Sequence, residues 1–578
     1  MNTDLDNPPS ANGRPFATSA RRLLIIGLDG ATFDVLNPLM TEGRMPRLKS
    51  AINAGASGLL RSTVPPITPA AWTTFLTGKN PGAHGIIDFE RYDVHSNKLS
   101  FNSTRCLDHV RSLWQILGDH GLKVGSVNVP MTYPPTPVYG FLVSGFETPG
   151  PQSDFVYPSS LKNAILARWP DPTLKAKWRR RTLGGDALFQ ENLDYISRSF
   201  HQGAEMTQWL GDNHGWDVLM VVFKLLDNLQ HKTWKYLDPR WSDRNPTRCD
   251  LSKKCFTDAD AAVGELLDYA AKHDAAVLIV SDHGHGCLEG KVQPNLLLQR
   301  WGYLTLQGGA SRRATRARYL WDRLRGRTRR FARAGNVLHD LAVDFDKTRA
   351  CVMHAGMAGF LYINLQGRQP TGIVPPSEYE SLRDELRARL LGGECRVRDP
   401  QGRDIQLFSE VHKPEELYAC SRTDQPWLPD LILTPQDSLA VVRKIRGRRV
   451  VRWLSYDRLE GTHRPDGILI AAGPGVARAS NVHANIVDCA PTILTMLGLP
   501  VPDDMQGRVI HELFDRPPTV EYESARPASP SAKKETLARE STLVRESLLA
   551  QPVEKNEVYS AEELQQVTAR LSDLGYLE

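Results

Sequence analysis

The chain has 578 residues and 41% hydrophobic residues, values typical of a soluble globular protein that can bury a large core. A net charge of +5 is small for this length and gives no reason to expect nucleic-acid binding. The eight cysteines are scattered and form no Cys-x-x-Cys pair. This disfavours a thiolate zinc site or a disulfide framework and favours reduced thiols.

We do not expect the first residues of the chain to form a targeting signal or a membrane-spanning segment. Residues 1–20 are rich in Pro, Asn, Ser and Gly, which predicts a disordered N-terminus. The apolar run after Arg21 and Arg22 ends at Asp29, and no small-residue cleavage site follows, which disfavours a signal peptide. No segment approaches the roughly 18 apolar residues that a membrane-spanning helix needs. We therefore expect a cytoplasmic protein.

Three short apolar runs predict buried strands of a parallel sheet. Open α/β sheets bind their ligands at the carboxyl ends of such strands. Each run leads to side chains that can bind a metal: residues 23–28 lead to Asp29, residues 218–223 to Asp227 and His231, and residues 277–281 to Asp282 and His283. We predict that these side chains form one shared site.

Helical and strand patterns alternate along most of the chain, which predicts a doubly wound α/β domain. Helices are predicted at 31–40, 110–118, 188–209, 255–272, 378–391 and 486–498, and further strands at 57–63, 123–129, 360–364, 430–433 and 467–472. Residues 154–185 lack such a pattern and are predicted to form an irregular, basic surface segment.

Composition and periodicity predict a core that is interrupted by an insertion. The predicted parts are the disordered N-terminus (1–20), the first part of the catalytic core (21–303), a cap or insertion (304–455), the last part of the core (456–516), a linker (517–557) and a C-terminal amphipathic helix (558–578). The cap contains an arginine-rich segment from Arg312 to Arg333. This segment is either a solvated helix face or a flap that attracts an anionic substrate or a membrane surface.

Thr68 stands directly before Pro69, a residue that favours the first turn of a helix. The Thr68 hydroxyl would therefore lie at a helix N-terminus, where free N–H groups and the helix dipole favour a phosphoryl group. The alternative is that Thr68 only caps the helix.

Together with His463 of the Gly-Thr-His-Arg loop at 461–464, the strand ends supply three Asp and three His side chains. Asp227 and His231 are four residues apart, so a helical turn places both on one side. Oxygen and nitrogen donors without a thiolate suit zinc or manganese better than copper or an iron–sulfur cluster. Each motif alone is common in structural roles, but the ordered set indicates metal-dependent phosphoryl transfer.

The ordered set and the words around it resemble the alkaline phosphatase superfamily, and within it the type I phosphodiesterase/nucleotide pyrophosphatase group of phosphohydrolases and phosphomutases. The resemblance covers about residues 22–515 and includes the words Gly-Leu-Asp-Gly (27–30), Thr-Gly-Lys-Asn-Pro-Gly-Ala-His-Gly-Ile (77–86), Ser-Asp-His-Gly (281–284), Asn-Leu-Gln-Gly-Arg (364–368) and Ala-Pro-Thr-Ile-Leu (490–494). It implies an α/β/α sandwich with a mostly parallel central sheet and an inserted cap region.

The resemblance also implies a role for each residue of the set. Asp227, His231 and His463 resemble the ligands of the family's first metal, Asp29, Asp282 and His283 resemble those of its second metal, and Thr68 resembles its nucleophile, which is also a metal ligand. These roles imply a phosphodiesterase or phosphatase with two divalent ions, zinc or manganese, and a phospho-threonine intermediate. The implied partner is a small phosphorylated substrate. Membrane contact through the segment from Arg312 to Arg333 is the less favoured alternative for that segment, and specific nucleic-acid binding is not expected.

One position departs from the family pattern, and two other functions remain open. Phe89 follows Gly-Ile-Ile-Asp (85–88), where the nucleotide pyrophosphatases place an Asn that holds a phosphoryl oxygen, and no modifiable Cys of the sulfatase type stands near Thr68. The alternatives are a phosphomutase or phosphoryl/phosphonate transferase on the same scaffold, and an inactive metal-binding module for anionic partners. Lys79, Asn128 and Arg464 lie near the motifs and are either substrate contacts or ordinary loop residues.

Overall fold

The structure, a computed structural model, describes residues 22–170, 172, 178, 185–307, 343–420, 427–528 and 558–574. The predicted disordered N-terminus (1–20) and the segment from Arg312 to Arg333 fall wholly outside these residues. The predicted irregular segment (154–185), cap (304–455), linker (517–557) and C-terminal helix (558–578) fall in part outside them. The described chain forms two compact units. Unit 1 contains the described residues of Met1–His84, Ser103–His285 and His463–Pro530, and unit 2 contains those of Gly85–Asn102, Gly286–Thr462 and Ser531–Glu578.

The strands, in chain order, are β1 (Arg22–Gly27), β2 (Ala56–Arg61), β3 (Glu90–Asp93), β4 (Lys98–Phe101), β5 (Val124–Val129), β6 (Gly140–Ser144), β7 (Val156–Tyr157), β8 (Val218–Val222), β9 (Ala275–Val280), β10 (Gly284–Leu288), β11 (Gly290–Val292), β12 (Ala350–Ala355), β13 (Gly359–Ile363), β14 (Arg396–Arg398), β15 (Asp404–Gln406), β16 (Phe408–His412), β17 (Leu431–Pro435), β18 (Leu439–Val441), β19 (Val451–Trp453), β20 (Glu460–Arg464), β21 (Asp466–Ala472), β22 (Ala479–Asn485), β23 (Val501–Pro502) and β24 (Tyr522–Glu523).

The α-helices are α1 (Phe33–Thr41), α2 (Pro46–Ala54), α3 (Thr68–Thr77), α4 (Pro81–His84), α5 (Leu113–Asp119), α6 (Lys162–Arg168), α7 (Gly185–His214), α8 (Leu225–Leu237), α9 (Pro246–Lys272), α10 (Pro294–Arg300), α11 (Tyr379–Leu391), α12 (Pro414–Tyr418), α13 (Cys489–Met496) and α14 (Ala561–Leu574). None of the helices in the described ranges is both long and apolar enough to cross a bilayer.

Unit 1 is built on a nine-stranded sheet with the order β22-β2-β21-β9-β1-β8-β5-β6-β7. The central strands β9, β1, β8, β5 and β6 run parallel, whereas β21 is antiparallel to both β2 and β9. Strands β8 and β9 are buried along their whole length, which explains their unbroken apolar sequences. Helices α7, α8 and α9 pack on one another, and α3 packs against α5 and α13. This architecture confirms the predicted α/β fold with a mostly parallel central sheet.

Two predictions about local structure are corrected. The prediction that residues 154–185 are irregular is wrong for residues 156–168, because this part contains β7 and α6, and Ile165 of α6 is buried. Residues 171, 173–177 and 179–184 lie outside the described residues. Helix α9 begins at Pro246, nine residues before the predicted start at Cys255. The Asn245 side chain accepts a hydrogen bond from the Arg248 N–H at 3.0 Å and Pro246 occupies the first helical position, so local capping chemistry starts this helix before its apolar pattern begins.

Unit 2 contains a four-stranded antiparallel sheet with the order β12-β13-β17-β16. Arg368, from the family word at 364–368, donates hydrogen bonds of 2.8 and 2.6 Å to the two carboxylate oxygens of Asp430, which is fully buried. The amide of Asn364, from the same word, donates to three backbone carbonyls. These contacts give the Asn-Leu-Gln-Gly-Arg motif (364–368) a structural role in unit 2. The described part of the predicted cap (304–455) falls in this unit. Its function as a cap stays a prediction.

Candidate metal centre

The three central strands end next to one another, which brings their following residues to one edge of the sheet. Gly27 of β1 is in register with Val222 of β8 on one side and with Val280 of β9 on the other. The chain therefore places the carboxylates of Asp29, Asp227 and Asp282, which follow these strands, at the same edge. All three are fully buried in unit 1.

A first group of donor atoms surrounds Asp227, which lies in the first turn of α8. Its Oδ1 is 3.3 Å from His231 Nε2, one helical turn further on, and 3.3 Å from His463 Nε2. The two imidazole nitrogens are 3.1 Å apart. Two ligands that hold one zinc ion tetrahedrally with bonds of ~2.0–2.1 Å lie roughly 3.3–3.4 Å apart, so the three atoms have the separations that such an ion requires.

A second group of donor atoms consists of Asp29, Asp282 and His283, whose ligand atoms lie within 4.8 Å of one another. His283 Nε2 is 3.3 Å from Asp282 Oδ2 and 3.8 Å from Asp29 Oδ1. The Gly30 N–H donates a hydrogen bond of 3.1 Å to Asp282 Oδ1 and orients that carboxylate. Both donor groups therefore combine carboxylate oxygen with imidazole nitrogen, which fits divalent cations such as zinc or manganese.

The backbone sets the orientation of two histidine rings. His283 Nδ1 is 3.0 Å from the carbonyl oxygen of Gly284, and His463 Nδ1 is 2.8 Å from that of Pro66. Each Nδ1–H donates to its carbonyl, so the lone pair of each ring is carried by Nε2, which faces the carboxylates. The two rings stack with centroids 3.6 Å apart.

Thr68 is fully buried at the start of α3, as the sequence predicts for a hydroxyl at a helix N-terminus. Thr68 is the first helical residue, Ile67 is the N-cap in an extended conformation, and Pro69 is therefore the second helical residue and not the first. Thr68 Oγ1 lies 3.4 Å from His283 Nε2. One turn along the same helix, the Trp72 indole Nε1 donates a hydrogen bond of 3.0 Å to Asp29 Oδ2.

Lys224 is the cation that the protein itself supplies to these carboxylates. Its buried Nζ donates to Asp29 Oδ1 at 3.1 Å and to Asp227 Oδ2 at 2.5 Å. Burial and the neighbouring Asp282 raise the pKa of Asp29 to about 7, and burial raises the pKa of Asp282 to about 7. Burial opposes ionisation of Asp227 as well, but His231 and Lys224 outweigh it and lower its pKa. One lysine does not balance three carboxylates, so bound cations would stabilise this cluster.

Burial also favours the neutral form of three imidazoles of the site. It is the largest cause of the lowered pKa values of His283, His285 and His463. A neutral imidazole is the form that binds a metal.

The sequence analysis missed three residues of this site. Lys224 and Trp72 contact the carboxylates as described, and His285 Nδ1 lies 3.6 Å from Asp227 Oδ1. Asp227, His231 and His285 form a further group of possible metal ligands. The sequence did contain a signal for His285, because residues two apart in a strand face the same side and His283 precedes it by two. Lys224 interrupts an apolar run, but only the fold shows what it contacts.

The three candidate substrate contacts occupy different environments. Asn128 lies in β5, which pairs with β8, and neither polar atom of its buried amide has a hydrogen-bond partner among the described residues. Lys79 forms an ion pair with Asp504. Arg464 follows His463 directly and donates a hydrogen bond of 2.9 Å to its carbonyl oxygen.

Solved structures are similar to this chain at low sequence identity. Phosphonoacetate hydrolase from Sinorhizobium meliloti 1021, in complex with phosphonoformate, is 17% identical with a TM-score of 0.50, over 85% of this chain and 98% of that chain. Human ectonucleotide pyrophosphatase/phosphodiesterase 5 is 13% identical with a TM-score of 0.47, over 86% of this chain and 100% of that chain. The similarity to phosphonoacetate hydrolase is a similarity of fold. No curated protein matches the sequence.

The family comparison covers most of the chain. The family described as type I phosphodiesterase / nucleotide pyrophosphatase matches residues 23–466, a range that contains all of the Asp and His donors and Thr68. The chain therefore belongs to the type I phosphodiesterase / nucleotide pyrophosphatase family, and it is a phosphoester hydrolase of the metal-dependent kind.

Proposed function

We propose that this protein hydrolyses a small phosphoric ester with the help of two divalent cations and uses Thr68 as the nucleophile. The observation that carries the proposal is the convergence of six buried Asp and His side chains beside the Thr68 hydroxyl, whose Oγ1 is 3.4 Å from His283 Nε2. The proposed ligands of the first ion are Asp227, His231 and His463, and those of the second are Asp29, Asp282, His283 and Thr68. The donors are oxygen and nitrogen atoms, which supports zinc, with manganese as the alternative.

The bound cations supply Lewis acidity, which favours ionisation of a hydroxyl and stabilises negative charge on a transferring phosphoryl group. The residues of the chain bind and orient the reactants. The N-terminus of α3 holds Thr68 Oγ1 where the helix dipole favours an anionic phosphoryl group. Trp72 and the Gly30 N–H orient the carboxylates of Asp29 and Asp282.

The proposed reaction has two steps, both at phosphorus. Thr68 Oγ1 gives its proton to solvent and attacks phosphorus in line with the ester oxygen. As the Thr68–phosphorus bond forms, the bond between phosphorus and the ester oxygen breaks, and the ester oxygen takes a proton from solvent and leaves as the alcohol. Water then attacks the phosphothreonine, so that the bond to Thr68 Oγ1 breaks and phosphate, or a phosphomonoester from a diester, is released. An acceptor alcohol in place of water would give a transferase or mutase.

The hydrogen bonds that each candidate residue already makes indicate which of them we propose as a substrate contact. Phe89, which stands where the nucleotide pyrophosphatases have Asn, is buried and offers no polar side-chain group. Asn128 is the preferred contact because its buried amide has no hydrogen-bond partner in the described part of the chain. Lys79 and Arg464 already donate to Asp504 and to the backbone. We therefore propose a small phosphomonoester or phosphodiester without a requirement for a nucleotide.

A cytoplasmic location is part of the proposal. All eight cysteines lie in the described ranges, none of them forms a disulfide, and five of them are buried. Reduced thiols are typical of proteins that function in a reducing compartment.

The test compares Thr68→Ala and Thr68→Ser with the wild type after reconstitution with zinc or manganese. Aryl phosphate monoesters and diesters serve as substrates, and acid quenching during turnover traps a covalent phosphoenzyme. We expect Thr68→Ala to lose at least about 10³-fold in kcat and to form no phosphoenzyme, because it lacks the attacking oxygen, whereas Thr68→Ser retains both in part. A full rate in Thr68→Ala would contradict the nucleophile assignment. Resolution of the phosphoenzyme by added alcohol, and not by water, would indicate the transferase.

A further inference from the structure

His285 is a buried imidazole that the proposed reaction does not use. It is fully buried in unit 1, and neither of its ring nitrogens has a hydrogen-bond partner in the described part of the chain. Leaving a buried polar group without a partner costs about 1–3 kcal/mol, and buried polar groups of native proteins are nearly always satisfied. The two ring nitrogens of His285 are therefore buried, and the described part of the chain supplies neither a hydrogen-bond partner nor a cation for them.

The surroundings of the His285 ring identify a metal as the missing partner. Its Nδ1 is 3.6 Å from Asp227 Oδ1, the atom that also lies 3.3 Å from both His231 Nε2 and His463 Nε2. The His285 ring is perpendicular to that of His231, with centroids 4.6 Å apart, and is 5.3 Å from that of His463. Three imidazoles therefore surround one carboxylate oxygen, and Asp227, His231 and His285 present donor atoms that all lie within 4.8 Å of one another, as the ligands of one ion would.

Two neighbours hold the His285 ring in this position. A Cβ atom on Gly30, which has a φ of +71°, would lie 3.0 Å from His285 Nδ1 and 3.2 Å from Asp227 Oδ1, so only glycine allows this approach. On the other side the Trp234 ring stacks on His285, with centroids 5.9 Å apart and an interplanar angle of 29°. The ring is therefore confined by packing and not by a hydrogen bond.

We propose that His285 is a fourth protein ligand of the cation held by Asp227, His231 and His463, an inference that rests on the proposed two-metal function. The two metal positions then differ in chemistry. The first has three imidazoles and one carboxylate, a set that selects zinc, whereas the second has two carboxylates and one imidazole, a set that also accepts manganese. Thr68 lies beside His283 of the second position, where three protein donors leave room for its hydroxyl.

The test measures metal binding and not activity. Chelator competition compares wild type, His285→Phe and a matched control, His201→Phe, whose imidazole pairs with Glu265 on the surface of unit 1. We expect the wild type to bind two zinc ions per chain. In His285→Phe we expect one of these ions to bind at least about 100-fold more weakly. This loss is at the upper end of the range of about 10–100-fold that is typical of residues that only orient a metal ligand. The second ion and the control variant keep the wild-type affinity.

Two further measurements keep the inference testable if His285→Phe does not fold. In cobalt-loaded His285→Cys we expect a thiolate-to-cobalt charge-transfer band that cobalt-loaded wild type lacks. In wild type with one equivalent of zinc, X-ray absorption should report three imidazoles on the ion. Unchanged affinities in His285→Phe, no such band, or two imidazoles on a tightly bound zinc would overturn the role of His285 and leave the proposed function intact. Absence of bound metal in the wild type would instead refute the proposed function.

Discussion

The indole Nε1 of Trp72 donates a hydrogen bond of 3.0 Å to Oδ2 of Asp29. This contact connects α3, the helix that begins with Thr68, to the residue that follows β1. The second carboxylate oxygen of Asp29 accepts a hydrogen bond from Lys224 at 3.1 Å. The direction of the Asp29 carboxylate is therefore determined by the helix that carries the proposed nucleophile.

Replacing Trp72 by Phe should weaken the second metal position selectively. Phe keeps most of the buried ring but removes the N–H, so Asp29 loses its orientation and zinc binding at that position should fall about 10–100-fold. The matched control is Trp216→Phe, which removes an indole hydrogen bond to Tyr269 in the same unit. Chelator titration of both variants gives the affinities. Equal losses in the two variants would show that the effect is one of general packing.

Removing one ligand at a time should empty one position at a time. We expect Asp282→Asn to retain about one ion per chain, and His231→Ala to retain the other, because each variant removes a ligand proposed for one ion only: Asp282 is grouped with Asp29 and His283, and His231 lies 3.3 Å from Asp227. Metal analysis after gel filtration gives the stoichiometry. Loss of both ions in each variant would show that the positions fill cooperatively and would contradict independent sites.

Removal of the metal should lower the stability of unit 1. A ligand that binds only the folded state at about 1,000 times its Kd adds about 4 kcal/mol to the free energy of unfolding. Lys224→Met tests the role of the protein's own cation in the same experiment. We expect this variant to be about 3 kcal/mol less stable than wild type without metal, and closer to it with metal bound, since bound cations then compensate Asp29 and Asp227. Equal destabilisation in both forms would assign Lys224 a packing role only.

Arg368 should be important for the stability of unit 2. Its substitution by Met leaves the fully buried Asp430 carboxylate without its bidentate partner, and we expect a loss of about 3–5 kcal/mol. Arg387→Met breaks an exposed pair with Glu416 and should cost less than about 1 kcal/mol. Urea unfolding of the two variants measures the difference. Similar values for both would contradict the structural role given to the word at 364–368.

His354 should make the stability of unit 2 depend on pH. Burial lowers its pKa, but Asp88 at 2.7 Å from Nε2 and Glu90 at 3.4 Å from Nδ1 outweigh burial and raise it to about 10. The unfolded pKa is about 6.5, so the stabilisation is fully present below pH ~6.5 and is lost as the pH rises through ~10. We expect the free energy of unfolding of wild type to fall over this range more steeply than that of His354→Gln. Parallel pH profiles would contradict a charged His354.

The central sheet could be predicted from the sequence, because unbroken apolar runs such as 218–222 are typical of strands buried on both faces. The edge of the sheet that carries the metal-binding side chains could be predicted as well, because those side chains follow the apolar runs directly or within a few residues. Helix ends were predicted less well. The start of α9 depends on capping by Asn245, which carries no apolar periodicity. Trp72 and Lys224 could not be assigned to the site because an indole or an ammonium in an apolar run has no characteristic spacing. Their partners, Asp29 and Asp227, become neighbours only when β1 and β8 pair.

The order of the chain has a consequence for how the centre forms during synthesis. Unit 1 is interrupted after His285 and resumes at His463, and this histidine approaches Asp227, encoded far upstream. When the first half of the message has been translated, five of the six Asp and His donors are already part of the chain. The binding pocket for the first ion nevertheless stays incomplete until residues 286–462, which belong to unit 2, have been synthesised and His463 has emerged. Metal acquisition at that position is thus a late event in biosynthesis.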